Sequence, residues 1–191
     1  ARIYSIIKEY NNALKYLNQA LNSFPNNLEI LQQIARVYVD MEDWNNYEIT
    51  VSKILEMDPD NYEILTNLAI VNKDAKKYET AFEYVFKAIE VDEKNERGLF
   101  IASELYLIKA DEVYQIMINL PLNSSGERKY NELEIERNKL ILKSIEYFEM
   151  SLQIDNITSD TEQYVFSELK RLYALVGDDE KFDFYKNLLE P

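Results

Sequence analysis

The chain repeats a pattern every 34 residues: Leu31, Leu65 and Leu99 fall at that interval, as do Ile34, Leu68 and Ala102. Ala35, Ala69 and Ser103 form a third column, Tyr10, Trp44 and Tyr78 a fourth, and Asn27, Asn61 and Asn95 a fifth. Such columns at one fixed period imply a tandem array of helix–turn–helix units, because each unit needs its neighbour to bury its apolar face.

Inside a unit the apolar spacing is that of a helix. From Tyr78 to Val91 the apolar residues are Tyr78, Ala81, Phe82, Val85, Ala88, Ile89 and Val91, a three-and-four rhythm that makes one stripe. Small residues alternate with bulky ones along it, as close ridge-into-groove packing requires. The segment Asp58, Pro59, Asp60, Asn61 ends one helix and starts the next, since Pro cannot continue a helix and Asp or Asn caps its successor. Phe24, Pro25, Asn26 and Asn27 repeat the device.

The units 28–61 and 62–95 resemble tetratricopeptide repeats. The places of the family's pattern hold Leu65, Leu68, Ala69, Asn72, Tyr78, Ala81, Val85, Ala88, Asp92 and Glu93 in one unit. Leu31, Ile34, Ala35, Tyr38, Trp44, Tyr47, Val51, Ile54, Asp58 and Pro59 stand in those places in the other. Tyr47 and Ile54 depart from the pattern, occupying positions where small residues usually let helices approach, so that interface is expected to spread or rotate. The resemblance implies an all-α, right-handed α-α superhelix, or solenoid, forming a single domain over 1–191. Its parts would be a partial repeat 1–27, repeats 28–61 and 62–95, an interrupted repeat 96–157 and a terminal repeat 158–191. The start at Ala1, without Met, is what an excised or processed fragment would show.

The interruption lies at 109–141. Leu99, Ala102 and Tyr106 open a unit whose second helix, with Ser144, Phe148 and Ser151, comes about 29 residues late against the family's spacing. Between them, Leu120 to Gly126 is rich in Pro, Asn, Ser and Gly, which is turn chemistry. Two readings stay open. In one, the first helix overruns to about Leu120 and the second starts near Glu127, giving an inserted arm of roughly 12 residues and ~18 Å. In the other, 111–120 is the second helix of a shortened, degenerate repeat. The last unit follows from about Thr158, with Phe166, Leu169, Leu172 and Tyr173 on one helix and Phe182, Tyr185, Leu188 and Leu189 on its partner, across a Gly177-Asp178-Asp179 loop.

Composition narrows the function. Among 191 residues there is no Cys and no His, which removes thiolate nucleophiles, imidazole bases and nearly every closed zinc site. Asp178 and Asp179 read as capping residues and Ser124, Ser125 and Gly126 as a turn, so the chain is expected not to be an enzyme and to hold neither metal nor cofactor. A net charge of −14 argues against nucleic acid, whose affinity rests on neutralising phosphates, and the acidic surplus is read as a solvated face. The apolar runs 99–102 and 105–108 are far short of a membrane span. Localisation stays open between the cytoplasm, the default, and a setting fixed by an upstream targeting or lipid-anchor segment. The bias toward Asn, Lys, Ile and Tyr is that of a low-GC, plausibly bacterial, genome. Asn123 and Asn156 head glycosylation-type triplets that chance accounts for in so Asn-rich a chain.

What is left is binding of another protein. The resemblance implies a groove lined by first helices, with Arg2; Gln32, Arg36 and Asp40; Thr66, Ile70 and Lys73; and Phe100 and Glu104 facing inward. Arg2, Arg36 and Lys73 would set cations there to orient a ligand carboxylate. One family subgroup clamps chaperone tails with Lys, Asn, Asn, Lys and Arg; here those places hold Gln32, Arg36, Asn67, Arg97 and Ile101, which disfavours that ligand. The leading expectation is a non-catalytic scaffold taking a peptide or helical segment of another protein. The alternatives are assembly, including self-association, through the arm or the aromatic C-terminal helices, and a regulatory module of an enzyme whose catalytic domain lies elsewhere.

Overall fold

The computed structural model describes residues 9–190, which hold nine α-helices and no strand. In chain order these are α1 Tyr10–Ser23, α2 Leu28–Asp40, α3 Trp44–Met57, α4 Tyr62–Asp74, α5 Tyr78–Val91, α6 Glu96–Met117, α7 Ser124–Ser151, α8 Ser159–Val176 and α9 Asp179–Leu189. Compactness divides the chain into two units, Ala1–Leu65 and Thr66–Pro191.

The sequence period is a hydrogen-bond period. The Asn27 side chain accepts from the Ile30 amide at 2.9 Å, Asn61 from Ile64 at 3.1 Å and Asn95 from Gly98 at 2.8 Å. Each Asn therefore satisfies one of the orphan donors at the start of a first helix. The preceding helices end alike, with the amides of Phe24, Asp58 and Asp92 bonding to the carbonyls of Ala20, Ile54 and Ala88. Inside the hairpins, Glu42 (φ 57°) and Lys76 (φ 59°) take the left-handed conformation, one period apart. The following amides, Asp43 and Lys77, then reach back to Tyr38 and Asn72.

In the first unit, α1 and α2 bury Ala13, Leu17, Ile34 and Val37, with Tyr10, Leu14, Leu21 and Tyr38 packed around them. On α3, Tyr47 and Ile54 are buried at 2% and 0% exposure, so the two bulky departures point inward and take up interior volume.

The second unit has two main layers. Ala69 of α4, Ala81 and Val85 of α5, and Ile101, Ala102 and Leu105 of α6 make one. Ala110 of α6, Ile141, Ile145 and Phe148 of α7, Val165, Leu169 and Leu172 of α8 and Tyr185 of α9 make the other. Ala81, Ala88, Ser103, Ser144 and Ser151 are all fully buried, and their small side chains are what lets the helices meet closely there.

The segment 109–141 is one lengthened antiparallel hairpin. α6 runs unbroken for 22 residues and α7 for 28, so Asp111–Met117 is the end of a first helix and not a separate second one. The arm is held by its own small core of Val113, Met117 and Leu133, with Leu120 and Leu140 against it. The helices stop at Met117 and restart at Ser124, each about three residues before the boundary read from sequence. The restart is fixed by Asn123, whose Oδ1 accepts from the amides of Ser125 at 3.1 Å and Gly126 at 2.9 Å.

Candidate functional site

Within the second unit, the first helices α4, α6 and α8 present a polar and aromatic face. Its residues follow helical spacing: Asn67, Ile70 and Lys73 on α4; Arg97, Phe100 and Glu104 on α6; Tyr164, Glu168 and Arg171 on α8. Cross-helix contacts tie them together. Arg97 Nη2 donates to Asn67 Oδ1 at 3.4 Å, and Lys73 Nζ donates to Glu104 at 2.5 Å. The Phe100 ring meets Tyr164 edge-on at 6.1 Å between centroids and lies 5.9 Å from Phe148. Arg171 donates twice to Glu168 Oε2, at 2.6 and 3.1 Å.

The charges on this face are unequally matched. Lys73 and Arg171 each have a carboxylate, whereas Arg97, which is exposed, forms no ion pair among the described residues and holds only an amide oxygen. Tyr164 is half-exposed, and its hydroxyl is pushed up from the ordinary tyrosine range by burial and then by the nearby charges of Glu168 and Glu104. The face therefore runs from a guanidinium at the start of α6, across aromatic rings, to carboxylates one to two turns further on.

The nine residues expected to line a groove divide among different settings. Arg2 lies outside the described residues. In the first unit, Gln32 is half-buried on α2, Asp40 is exposed at its end, and Arg36 pairs with Glu63 at 3.6 Å. In the second unit, Lys73 and Glu104 meet each other. Thr66 is buried to 1% exposure and so presents almost no surface. Ile70 packs against the α4–α6 core and Phe100 against the layer beyond it, each leaving part of its surface open. Arg36 and Lys73 thus both carry carboxylate partners, and on the α4–α6–α8 face the cation without one among the described residues is Arg97.

Tyr164 and Arg97 were not among the expected groove residues. Adding the period and the delay of about 29 residues to Phe100 reaches Gln163, one short of Tyr164, so the signal was present but blurred by the insertion. Asp178 is a cap, its Oδ1 accepting from the Lys181 amide at 3.0 Å. Among the described residues no helix is long and apolar enough to cross a membrane, and no three carboxylates gather as a metal site would require.

Comparison with known proteins places this architecture. Models of the tetratricopeptide repeat match residues 1–27 and 51–83. No curated protein matches the chain. Among solved structures, the MamA protein aligns with a TM-score of 0.66 at 16% identity, covering 98% of this chain and 85% of that one. PilW, a type IV pilus biogenesis factor, aligns at 0.51 and 13% identity, covering 98% and 88%. The human IFIT1 dimer with m7Gppp-AAAA aligns at 0.58 and 17% identity, covering 91% of this chain and 35% of that one. With family models matching at 1–27 and 51–83, and helical hairpins of this period and hydrogen-bond pattern, the chain carries tetratricopeptide repeats and shares their fold.

Proposed function

We propose that the chain is a non-catalytic interaction scaffold that receives a peptide or helical segment of another protein on the α4–α6–α8 face. The observation that carries this reading is an exposed Arg97 without a carboxylate partner among the described residues, one helical turn from the partly buried Phe100, whose ring meets the half-exposed Tyr164. Arg and Tyr are, with Trp, the residues enriched among those that dominate protein recognition: the Tyr ring adds contact area with few rotors to fix, and the Arg guanidinium is a planar, pre-organised fork of donors. The ligand that fits has an acidic group over Arg97 and Asn67, apolar side chains against Phe100, Tyr164 and Ile70, and a basic group toward Glu104 and Glu168.

A capped RNA of the kind named with IFIT1 is a poorer fit. The chain carries −14, and the face has two carboxylates, Glu104 and Glu168, against one cation, Arg97, that has no carboxylate partner among the described residues.

Peptides selected by phage display on the immobilised protein provide the test. Binding of the selected peptides should fall tenfold or more on Arg97→Glu and on Tyr164→Ala, and change little on Arg36→Glu. Peptides that bind both face variants as well as the parent would place recognition elsewhere.

A further inference from the structure

We propose that α7 pairs antiparallel with the α7 of a second copy of this chain, along the outer side of the arm. Two large apolar residues stand exposed there, Ile135 at 59% and Leu142 at 49%, two helical turns apart. Asn131 and Asn138 fall between and beside them at four- and three-residue spacing, so the four form one stripe. A helix seam of aliphatic residues interrupted by Asn is a seam in which register is specified at some loss of strength.

The charges along the edge of this stripe identify the occupant. They are Lys129, Glu132, Glu136, Lys139, Lys143 and Glu146. Turning the helix end for end about a point between Arg137 and Asn138 sets Lys129 against Glu146, Glu132 against Lys143 and Glu136 against Lys139. Every pairing is of opposite sign, and the two-fold repeats each one. The same turn brings Ile135 to within two residues, ~3 Å along the axis, of the second copy's Leu142. Complementarity of a surface to its own rotated copy is the requirement of an isologous dimer and is not demanded by a foreign partner. The pairs already present within one helix, Lys129 with Glu132 at 3.2 Å and Lys143 with Glu146 at 2.6 Å, would meet as four-charge clusters.

The surrounding charge points the same way. From Glu127 to Glu146 five Lys or Arg offset five Glu, a sum of zero in a chain that carries −14. Two copies repel over most of their surface, and this strip is where they meet without that penalty. The seam is short, ~27 Å at 1.5 Å per residue over the charged span, so the pair belongs with weak, concentration-dependent interfaces.

Sedimentation equilibrium over a concentration series up to about millimolar provides the test. The parent chain should pass from monomer to dimer. A chain with Glu132→Lys, Glu136→Lys and Glu146→Lys, and a chain with Lys129→Glu, Lys139→Glu and Lys143→Glu, should each stay monomeric alone and form a one-to-one dimer when mixed. A parent that is monomeric throughout overturns the proposal. So does either charge variant dimerising like the parent, or a mixture of two helical variants that fails to associate. Where a charge variant loses its helical circular dichroism, Ile135→Ser with Leu142→Ser replaces it: loss of the dimer supports the seam, and its retention overturns it.

Discussion

Tyr173 and Tyr185 stack with ring centroids 5.8 Å apart and 10° between planes, and both hydroxyls donate to the same carboxylate oxygen of Glu149, at 2.8 and 3.2 Å. The arrangement joins α7, α8 and α9 through one acceptor. Burial, and then the charge and hydrogen bond of Glu149, push the Tyr185 hydroxyl up to about 12; Tyr173 is pushed up by burial and by its bond to Glu149. A tyrosine whose folded value lies above its unfolded value of 10 stabilises the fold fully below pH 10 and ceases to do so as pH rises through the folded value. Stability against urea should therefore be flat from neutral to mildly alkaline pH and fall between pH 10 and about 12. Tyr173→Phe with Tyr185→Phe should lower neutral stability by about 2 kcal/mol and flatten the alkaline fall. An unchanged alkaline profile in that double variant would remove these tyrosines as its cause.

The buried cap Asn95 is the second test. Its side chain is 7% exposed and accepts from the Gly98 amide, while an added Cβ on Gly98 would lie 3.2 Å from Ile89 and 3.4 Å from the Asn95 oxygen. Asn95→Ala leaves a buried amide without its acceptor, and the expected loss is about 1–2 kcal/mol. Asn27→Ala, at an exposed cap of the same kind, should lose less. Equal losses at the two positions would show that burial adds nothing to this cap.

The caps also explain how much could be read from sequence. Asn27, Asn61 and Asn95 stood out as a column because each makes a local bond three residues away, and local chemistry survives in the letters. The apolar columns were legible for the same reason, since Leu31, Leu65 and Leu99 are all buried at 3% exposure or less. The face was less legible. Lys73 finds Glu104 across 31 positions, and Arg97 finds Asn67 across 30. Which cation keeps a partner is decided by side-chain reach between helices, and the repeat pattern does not encode it. Thr66 is the converse case, a polar residue in an inward column that the fold buries.

The left-handed turn positions make a paired prediction. Lys76 holds φ 59° after α4, and Gly177 holds φ 76° after α8, each followed by an amide that reaches back into its helix. A Cβ at Gly177 would meet nothing within 4 Å, so backbone conformation alone decides the effect there. Lys76→Gly should stabilise by up to about 1 kcal/mol and Gly177→Ala should destabilise by about as much, because an L side chain strains this region and glycine does not. Denaturant midpoints measure both. A stabilising Gly177→Ala would mean that the turn relaxes out of the left-handed region.

Gly126 controls the closure of the arm. It is buried one turn into α7, and a Cβ built there would collide with the Pro121 carbonyl oxygen, a backbone atom that cannot swing aside as a flexible side chain would. The chain must cross from Met117 to Ser124 over Leu120 and Pro121, and the close approach of Pro121 to α7 is what brings Leu120 onto Val113, Met117 and Leu133. Gly126→Ala should therefore separate the loop from α7, expose the arm's small core and cost about 2 kcal/mol or more. The rest of the second unit is held by cores that do not include the loop. Hydrogen exchange should accordingly speed up at 113–133 and stay close to parent rates in α8 and α9. Uniform acceleration across the unit would show that the arm and the layers beneath it unfold together.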